Sequence, residues 1–454
     1  MSELATGDIR ITGLSYRCAR SLVGPVDEAA LQALPLERAA EAFQRLVDTA
    51  SSPGMDEPVA WPRLGEGEGN GAESLAAALA WAEGARGADV LISVGIGGSY
   101  LGNRVLRDAL LGTRADALPR AARGGPQLLF AGQHLDPLEA RQLVEVVRAA
   151  APARVALLSI SKSGTTTETL ATTLSLTAAL QAAGIQPELA ALTAPGSILA
   201  TLAAEAGGAL IPFPEGIGGR WCVLSPVGLA TAAATGVDTD ALLAGARTAR
   251  GELLAGGADL KKNPALLYAA LHHLHGRAGR TGGVFMPYAE RLRCVSEWYV
   301  QLLAESLGKE RDRQGRLVHA GRTPIVAVGT TDMHAQTQQH QEGAQDKTVT
   351  TVDVADWGPA TAADRVPELA AAGKLAGKTF AALNTIARES NEEALASSGR
   401  PSDAFVLDRL DARTLGAFLY TLMASVSYEG ELLDVCAYDQ PGVEAYKKIM
   451  KTRL

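Results

Sequence analysis

Between residues 89 and 213, short apolar runs alternate with longer stretches in which apolar residues recur every three or four positions. The runs at 89–94, 126–131, 154–159, 188–193 and 209–213 predict strands, and the stretches 99–111, 137–150, 165–183 and 197–206 predict helices. Strands alternating with helices of that length predict βαβ units on a parallel, doubly wound sheet. The second half repeats the alternation less regularly, with strands expected at 283–287, 323–328, 348–354 and 403–406. Helices are expected there near 264–276, 289–305, 366–398 and 411–427, so a second αβα domain follows. Residues 1–64 mix helical patterns with Pro- and Gly-rich breaks, and the glycine-rich stretch 65–72 predicts a turn or linker.

Ligands of such sheets bind at the carboxyl ends of the strands, and two of those ends carry unusual residues. After the run 155–158 come Ser161, Lys162, Ser163 and Gly164, then Thr165, Thr166 and Thr167, with Glu168 leading into a helical pattern. A glycine, a lysine and clustered hydroxyls between a strand and a helix start suit an anion. Free N–H groups and the positive end of the helix dipole point at the ligand, and the hydroxyls donate further hydrogen bonds. One hydroxyl alone would be read as a helix cap, with Glu168 completing a capping box. The number of hydroxyls here favours a phosphate site. The second loaded end is Gly95-Ile-Gly-Gly-Ser99, after 89–92. It superficially resembles a dinucleotide fingerprint, but Tyr100 stands where that pattern needs its third glycine. A tight turn that lets backbone N–H groups approach a sugar or phosphate fits better, with Ser99 as a further donor, although a purely structural turn satisfies the same residues.

Three other places carry candidate chemistry. Gly218 and Gly219 lead directly to Arg220, a guanidinium that stays charged at any working pH and suits an oxyanion; taken alone, a surface arginine after a turn is the plainer reading. Glu305 falls on one helical stripe with Trp298 and Leu302, a carboxylate sharing a face with apolar neighbours as a general base requires. The charged run 309–313 that follows reads as a solvated loop. His334 lies just past the strand expected at 323–328, among Gln336, Gln338, Gln339 and Gln341, which favours a polar, solvated setting. His272, His273 and His275 sit in an apolar helical pattern without a carboxylate at ligand spacing, so no metal is expected there. Near the end, Gln440 precedes a helix opening at Pro441, and Lys447 and Lys448 would by themselves be exposed helix charges.

Composition narrows the classes. With 454 residues, 47% of them apolar, the chain can build two full cores. Four widely spaced cysteines without a Cys-x-x-Cys pair argue for a reducing cytoplasm and against a disulfide or zinc frame. A net charge of -8 argues against a general nucleic-acid surface, so any anion site is local. No membrane span and no basic leader are legible.

Six separated motifs together resemble the phosphoglucose isomerase family: residues 95–99, Ser-Lys-Ser-Gly-Thr-Thr at 161–166, Gly-Gly-Arg at 218–220, Glu-Ser-Leu-Gly-Lys at 305–309, Thr-Asp-Met-His-Ala-Gln at 331–336 and the stretch 439–447. They occur in the family's order from about residue 89 to 449. The resemblance implies two doubly wound sugar-isomerase (SIS-type) αβα domains with parallel sheets. The domains are expected at 65–230 and 231–454, the second ending in a helical arm, with a helical N-terminal segment (1–64) packed on the second. It implies that Ser161, Lys162, Ser163 and Thr166 cradle phosphate, that Gly98, Ser99 and Gln440 line the sugar, and that Glu305 moves the proton between C1 and C2. Arg220 then steadies the enediolate, and His334 and Lys447 open the ring, with His334 reaching the site of the other subunit of a homodimer. Ala304 and Trp221-Cys222 depart from the family's usual Gly and Tyr-Ser.

The implied activity is interconversion of glucose 6-phosphate and fructose 6-phosphate in glycolysis and gluconeogenesis. The partners are a hexose 6-phosphate and a second copy of the chain, with no nucleic acid or membrane. The chemistry needs one base, a fixed positive charge and little solvent, and no cofactor or metal is expected. A bifunctional isomerase that also takes mannose 6-phosphate and a non-catalytic sugar-phosphate sensor remain alternatives. The joint presence of Glu305, Arg220, His334 and Lys447 counts against the sensor.

Overall fold

The computed structural model describes residues 7–66 and 70–453. The chain forms two compact units, Thr49–Ser51 with Asp56–Leu243, and Met1–Asp48 with Ser52–Met55 and Ala244–Leu454. The middle of the expected glycine-rich linker, 67–69, lies outside the described residues, and its end is not a linker, because Gly71 already opens the helix Gly71–Ala85. The N-terminal segment is not helical throughout. It opens with a hairpin, β1 (Ile9–Ile11) and β2 (Leu14–Arg17), in which Ile9 and Ile11 turn inward. Runs of three and four residues are too short to show their period in the sequence.

The unit of Asp56–Leu243 is built on β3 (Val90–Val94), β4 (Gln127–Ala131), β5 (Val155–Ser161), β6 (Pro187–Thr193) and β7 (Leu210–Pro212). They form one parallel sheet in the order β4-β3-β5-β6-β7, with Ile92 opposite both Leu129 and Leu157. β3 and β5 are buried along their whole length, as expected of parallel strands covered on both faces. Leu176 and Leu180 of the helix Thr167–Ala182 and Leu199 of the helix Ile198–Glu205 complete the apolar core. In this order the sheet reverses direction at β3, so the crevice between the carboxyl ends of β3 and β5 is its switch point.

The other unit adds β8 (Gly282–Pro287), a two-stranded ribbon of β9 (Lys309–Arg311) and β10 (Leu317–Ala320), β11 (Thr323–Val326), β12 (Lys347–Asp356) and β13 (Ser402–Arg409). Its sheet runs β1-β2-β13-β12-β8-β11. The four strands β13-β12-β8-β11 are parallel, and the N-terminal hairpin extends them as an antiparallel edge, Phe405 pairing with Tyr16. The helix Ala412–Leu433 is buried on all sides and packs on the equally buried helix Pro264–Arg277. No helix of the described residues is long and apolar enough to cross a membrane.

This second core holds charge. Arg322 and Glu429, 8% and 3% exposed, form a bidentate pair with both N–O distances 3.1 Å, and Arg322 also donates to the Tyr299 hydroxyl at 3.0 Å. His272 lies 3.2 Å from Asp403 and 3.1 Å from the Thr348 hydroxyl, and His275 contacts Ser21 at 3.0 Å. Burial lowers the pKa of all three histidines of the cluster, that of His275 to about 3, which favours their neutral form; His272 and His275 are core residues bonded to hydroxyls and, for His272, to Asp403.

Two expectations fail here for local reasons. The helix expected over 366–398 begins only at Phe380, where the Thr379 hydroxyl accepts from the Ala382 N–H. The alanine-rich lead-in is broken by Gly373 and Gly377, both at positive φ. The run 309–313 is not a solvated loop: Lys309 is 7% exposed, and Arg313 pairs with Glu431, both largely buried.

Candidate active site

At the switch point of the first sheet, β5 ends at Ser161 and the chain makes a loop before the helix Thr167–Ala182. Gly164 takes φ +64 there, and a Cβ on it would collide with Ser197 and Thr193, so the loop folds this tightly only with glycine. Its N–H donates to the Ser161 hydroxyl at 3.1 Å. Thr166 is the N-cap residue, yet its side chain does not cap the helix; its hydroxyl lies 2.9 Å from that of Ser161. Neither Ser163 nor Thr165 caps it: Ser163 accepts from the Thr165 N–H and hydroxyl at 3.3 and 3.0 Å. The N-cap residue leaves the first N–H groups of this helix without a side-chain cap, Glu168 is the one acidic residue of its first turn, and exposed Lys162, Ser163 and Thr165 lie in the loop before it. Lys162 reaches Glu57 at 3.5 Å, an open pair that costs little to exchange for a ligand.

The other loaded strand end lies across the same crevice. After β3, Gly97 takes φ 58 and the helix Gly98–Leu111 begins at once. A Cβ on Gly98 would overlap the carbonyl oxygen of Gly219, so the turn 218–220 rests directly on the glycine turn. The structure thereby joins two motifs more than a hundred residues apart in sequence. Ser99 is buried, its carbonyl accepting from Asn103 at 2.6 Å, and Asn103 in turn accepts from the Thr231 hydroxyl. Arg220 is 1% exposed, which overturns the plainer reading of a surface arginine. The two unusual residues beside it serve the turn. Trp221 stacks on Trp61 at 4.8 Å, and the Cys222 thiol donates to the Gly219 carbonyl at 2.8 Å.

In the other unit Glu305 lies on the helix Arg293–Leu307, while His334, Gln440 and Lys447 come from separate later segments. Trp298 and Leu302 are fully buried and Glu305 is half-buried on the last turn. One turn earlier, the Gln301 amide donates to Glu305 Oε1 at 3.0 Å. Lys309, in β9, donates to the Glu305 carbonyl at 2.6 Å and to the Asp439 carbonyl at 3.2 Å, so the structure brings the base candidate together with the chain next to Gln440. Gln440 itself is exposed at the start of the short helix Pro441–Val443. His334 is exposed on the first turn of the helix Thr331–Glu342. Its glutamines line that helix rather than a pocket: Gln336 donates to the Val326 carbonyl and Gln338 to Glu342. Lys447, on the helix Glu444–Lys451, pairs with Glu444 at 2.8 Å.

The family model for phosphoglucose isomerase matches residues 77–453. The chain belongs to the phosphoglucose isomerase family. It is 39% identical over 391 residues to a glucose-6-phosphate isomerase of Rubrobacter xylanophilus, covering 84% of this chain and 87% of that one. A glucose-6-phosphate isomerase of Carboxydothermus hydrogenoformans is 37% identical over 363 residues, 79% of this chain and 77% of the other. Among solved structures, a hypothetical protein of Thermus thermophilus superposes with a TM-score of 0.76 at 33% identity, covering 91% of this chain and 94% of that one. The glucose-6-phosphate isomerase of Chlamydia trachomatis shares the fold, with a TM-score of 0.82 at 23% identity over 99% of this chain and 90% of that one.

Membership of the phosphoglucose isomerase family agrees with the six motifs, and the structure adds side chains that they did not single out. Gln301 contacts the Glu305 carboxylate directly. Its signal was available as Gln-x-x-x-Glu spacing on one helix, an i,i+4 pair. The structural role of Lys309 was hidden, because its second partner lies 130 positions away.

Proposed function

We propose that this phosphoglucose isomerase family member is an aldose–ketose isomerase interconverting glucose 6-phosphate and fructose 6-phosphate. The observation that carries the reading is the helix start at Thr167 without a side-chain cap, ringed by Lys162 and hydroxyls at the switch point of a parallel sheet. A dianionic phosphate there accepts from the free N–H groups, the hydroxyls of Ser161, Ser163 and Thr166 and the Lys162 ammonium. Gly98 and Ser99 line the sugar beside it, and Gln440 is a further sugar-lining residue.

The chemistry follows from the residue types. His334 and Lys447 open the ring by moving one proton onto the ring oxygen and one off O1. Glu305 then takes the C2 proton of the open aldose, whose electrons form the C1–C2 double bond as charge moves onto O1. The same carboxyl group returns the proton to C1 while the O2 proton passes to O1, which leaves the ketose carbonyl at C2 and a hydroxyl on C1. Arg220 is a fixed guanidinium for the enediolate; its deep burial leaves little water to screen it. Binding energy at the phosphate end is available to orient the reacting carbons.

The deciding experiment incubates the purified protein with fructose 6-phosphate in deuterated water. Appearance of glucose 6-phosphate carrying deuterium at C2 is the expected result; binding without exchange or product would make the chain a sensor. A parallel assay with mannose 6-phosphate separates the bifunctional alternative. We further propose a cytoplasmic homodimer in which His334 serves the partner's site. The exposed position of His334 and four cysteines outside any disulfide, Cys18, Cys222, Cys294 and Cys436, support it. Mixing Glu305→Gln chains with His334→Ala chains is expected to restore about half of wild-type activity per mixed dimer, since one of its two sites is then intact. No recovery on mixing would place His334 in its own subunit's site.

A further inference from the structure

The motif that ends in Lys309 is used above only through Glu305, yet the lysine is the more unusual residue. Buried lysines are rare unless their charge is answered, because desolvating an ammonium is costly. Here the answer comes from oxygens of two segments. Nζ donates to the Glu305 carbonyl at 2.6 Å and to the Asp439 carbonyl at 3.2 Å, and the Asp439 carboxylate stands 3.4 Å away. The Glu305 carbonyl is among the last four of its helix, which have no partner within the helix and carry the negative end of the dipole. Gly308 already closes the helix end by donating to the Ala304 carbonyl at 3.0 Å. An additional cation is therefore not required merely to terminate it.

What Lys309 adds is a link. The Gln301 amide holds the Glu305 carboxylate from one turn before, while Lys309 holds the backbone of the same residue from beyond the helix end and anchors it to the residue preceding Gln440. We propose that Lys309 is a positioning residue for the proton transfer: it sets the carboxylate of Glu305 and the Gln440 segment in one fixed relation without touching substrate. This rests on the assignment of Glu305 as the base. Proton abstraction is sensitive to such placement, since a displacement of about 1 Å costs on the order of a hundredfold in rate.

The test is Lys309→Met, which keeps most of the side-chain length and removes the charge and donors. Thermal unfolding establishes how much of the variant is folded, and Lys309→Gln takes its place if it does not fold. The expected result is a kcat loss of roughly 10- to 100-fold with KM within about threefold of wild type. The primary isotope effect with glucose 6-phosphate deuterated at C2 is expected to rise above the wild-type value, because proton abstraction has become slower relative to the other steps. A structural role alone would reduce the amount of folded enzyme, scaling the maximal rate while leaving KM and the isotope effect unchanged, and that outcome overturns the proposal. So does a kcat within about threefold of wild type. Glu305→Gln run alongside separates the two layers. If it retains activity, the base assignment is at fault. If it is inactive while Lys309→Met is normal, only the positioning role is lost.

Discussion

The two sheets share one winding and use it differently. β4-β3-β5-β6 in the first and β11-β8-β12-β13 in the second have the same order, with the reversal at the first strand of each series. In the first, the candidate chemistry sits where that topology puts it, in the loops after β3 and β5. Much of it is backbone: glycine turns, N–H groups and a helix dipole. In the second, Glu305 lies at the far end of the helix after β8, held by Gln301 and Lys309, while His334 and Lys447 come from two later helices. An anion can be met by generic backbone at a switch point, whereas a proton must be moved by one carboxylate whose placement other side chains enforce. The cores differ too. The cluster packed on the first sheet is apolar, with buried Arg220 and Asp108 outside it, and the second core encloses Arg322–Glu429 and His272–Asp403.

That contrast is sharpest in mutant kinetics. Glu305→Gln is expected to lower kcat by roughly 10²–10⁴-fold, about 3–5 kcal/mol, with little change in affinity for a phosphate-ended inhibitor. A kcat within a few-fold of wild type would withdraw the base assignment. For the cores, Glu429→Ala leaves Arg322 buried beside a missing partner and is expected to cost about 3–5 kcal/mol in urea unfolding. A loss below about 1 kcal/mol would show that water reaches the guanidinium. In the first unit, Ser161→Ala with Thr166→Val removes two cradle hydroxyls and is expected to raise KM roughly tenfold, about 1.4 kcal/mol, with kcat nearly kept. A kcat-dominated effect would erase the division between a binding half and a chemical half.

The smallest effect is with pH. The folded pKa of His275 lies near 3, below its ordinary value, so between pH 6.5 and 3 the unfolded chain binds the extra proton. Its contribution is fully present above about pH 6.5 and is lost progressively on acidification, by about 1–2 kcal/mol at pH 5.5. His275→Gln should flatten that part of the urea-midpoint profile. An unchanged slope would assign the acid sensitivity to other groups.

The sequence revealed the parts that are locally coded. β3 and β5 are apolar runs bounded by turn residues, and the hydroxyl cluster after β5 lies in one contiguous stretch. Helix 412–433 was legible but cut short, because its last turn carries Glu429 and Glu431. What stayed hidden depends on distant partners. Lys309 looks solvated until the Asp439 carbonyl is placed beside it, and Arg220 looks exposed until the turn that carries it rests on Gly98. The helix of His334 escaped notice because 331–342 has too few apolar residues to show a period. The helices Pro226–Ala234 and Thr239–Gly256 were missed among alanines and glycines that give little contrast between faces.

The hairpin at the start of the chain has a consequence for biosynthesis. β2 pairs with residues 404–407 of β13, so the first strands made must wait for some of the last. Residues 56–243 leave the ribosome long before that and hold every strand of their own sheet. At about 5–20 residues per second, the interval in which β1 and β2 lack their neighbour lasts on the order of ten seconds or more. During it they are an open edge of the kind that recruits other chains or a chaperone. Nascent chains stalled near residue 300 are accordingly expected to resist protease across 70–243 and to be cut within the first twenty residues; protection of both segments would mean that the hairpin finds an earlier, temporary partner.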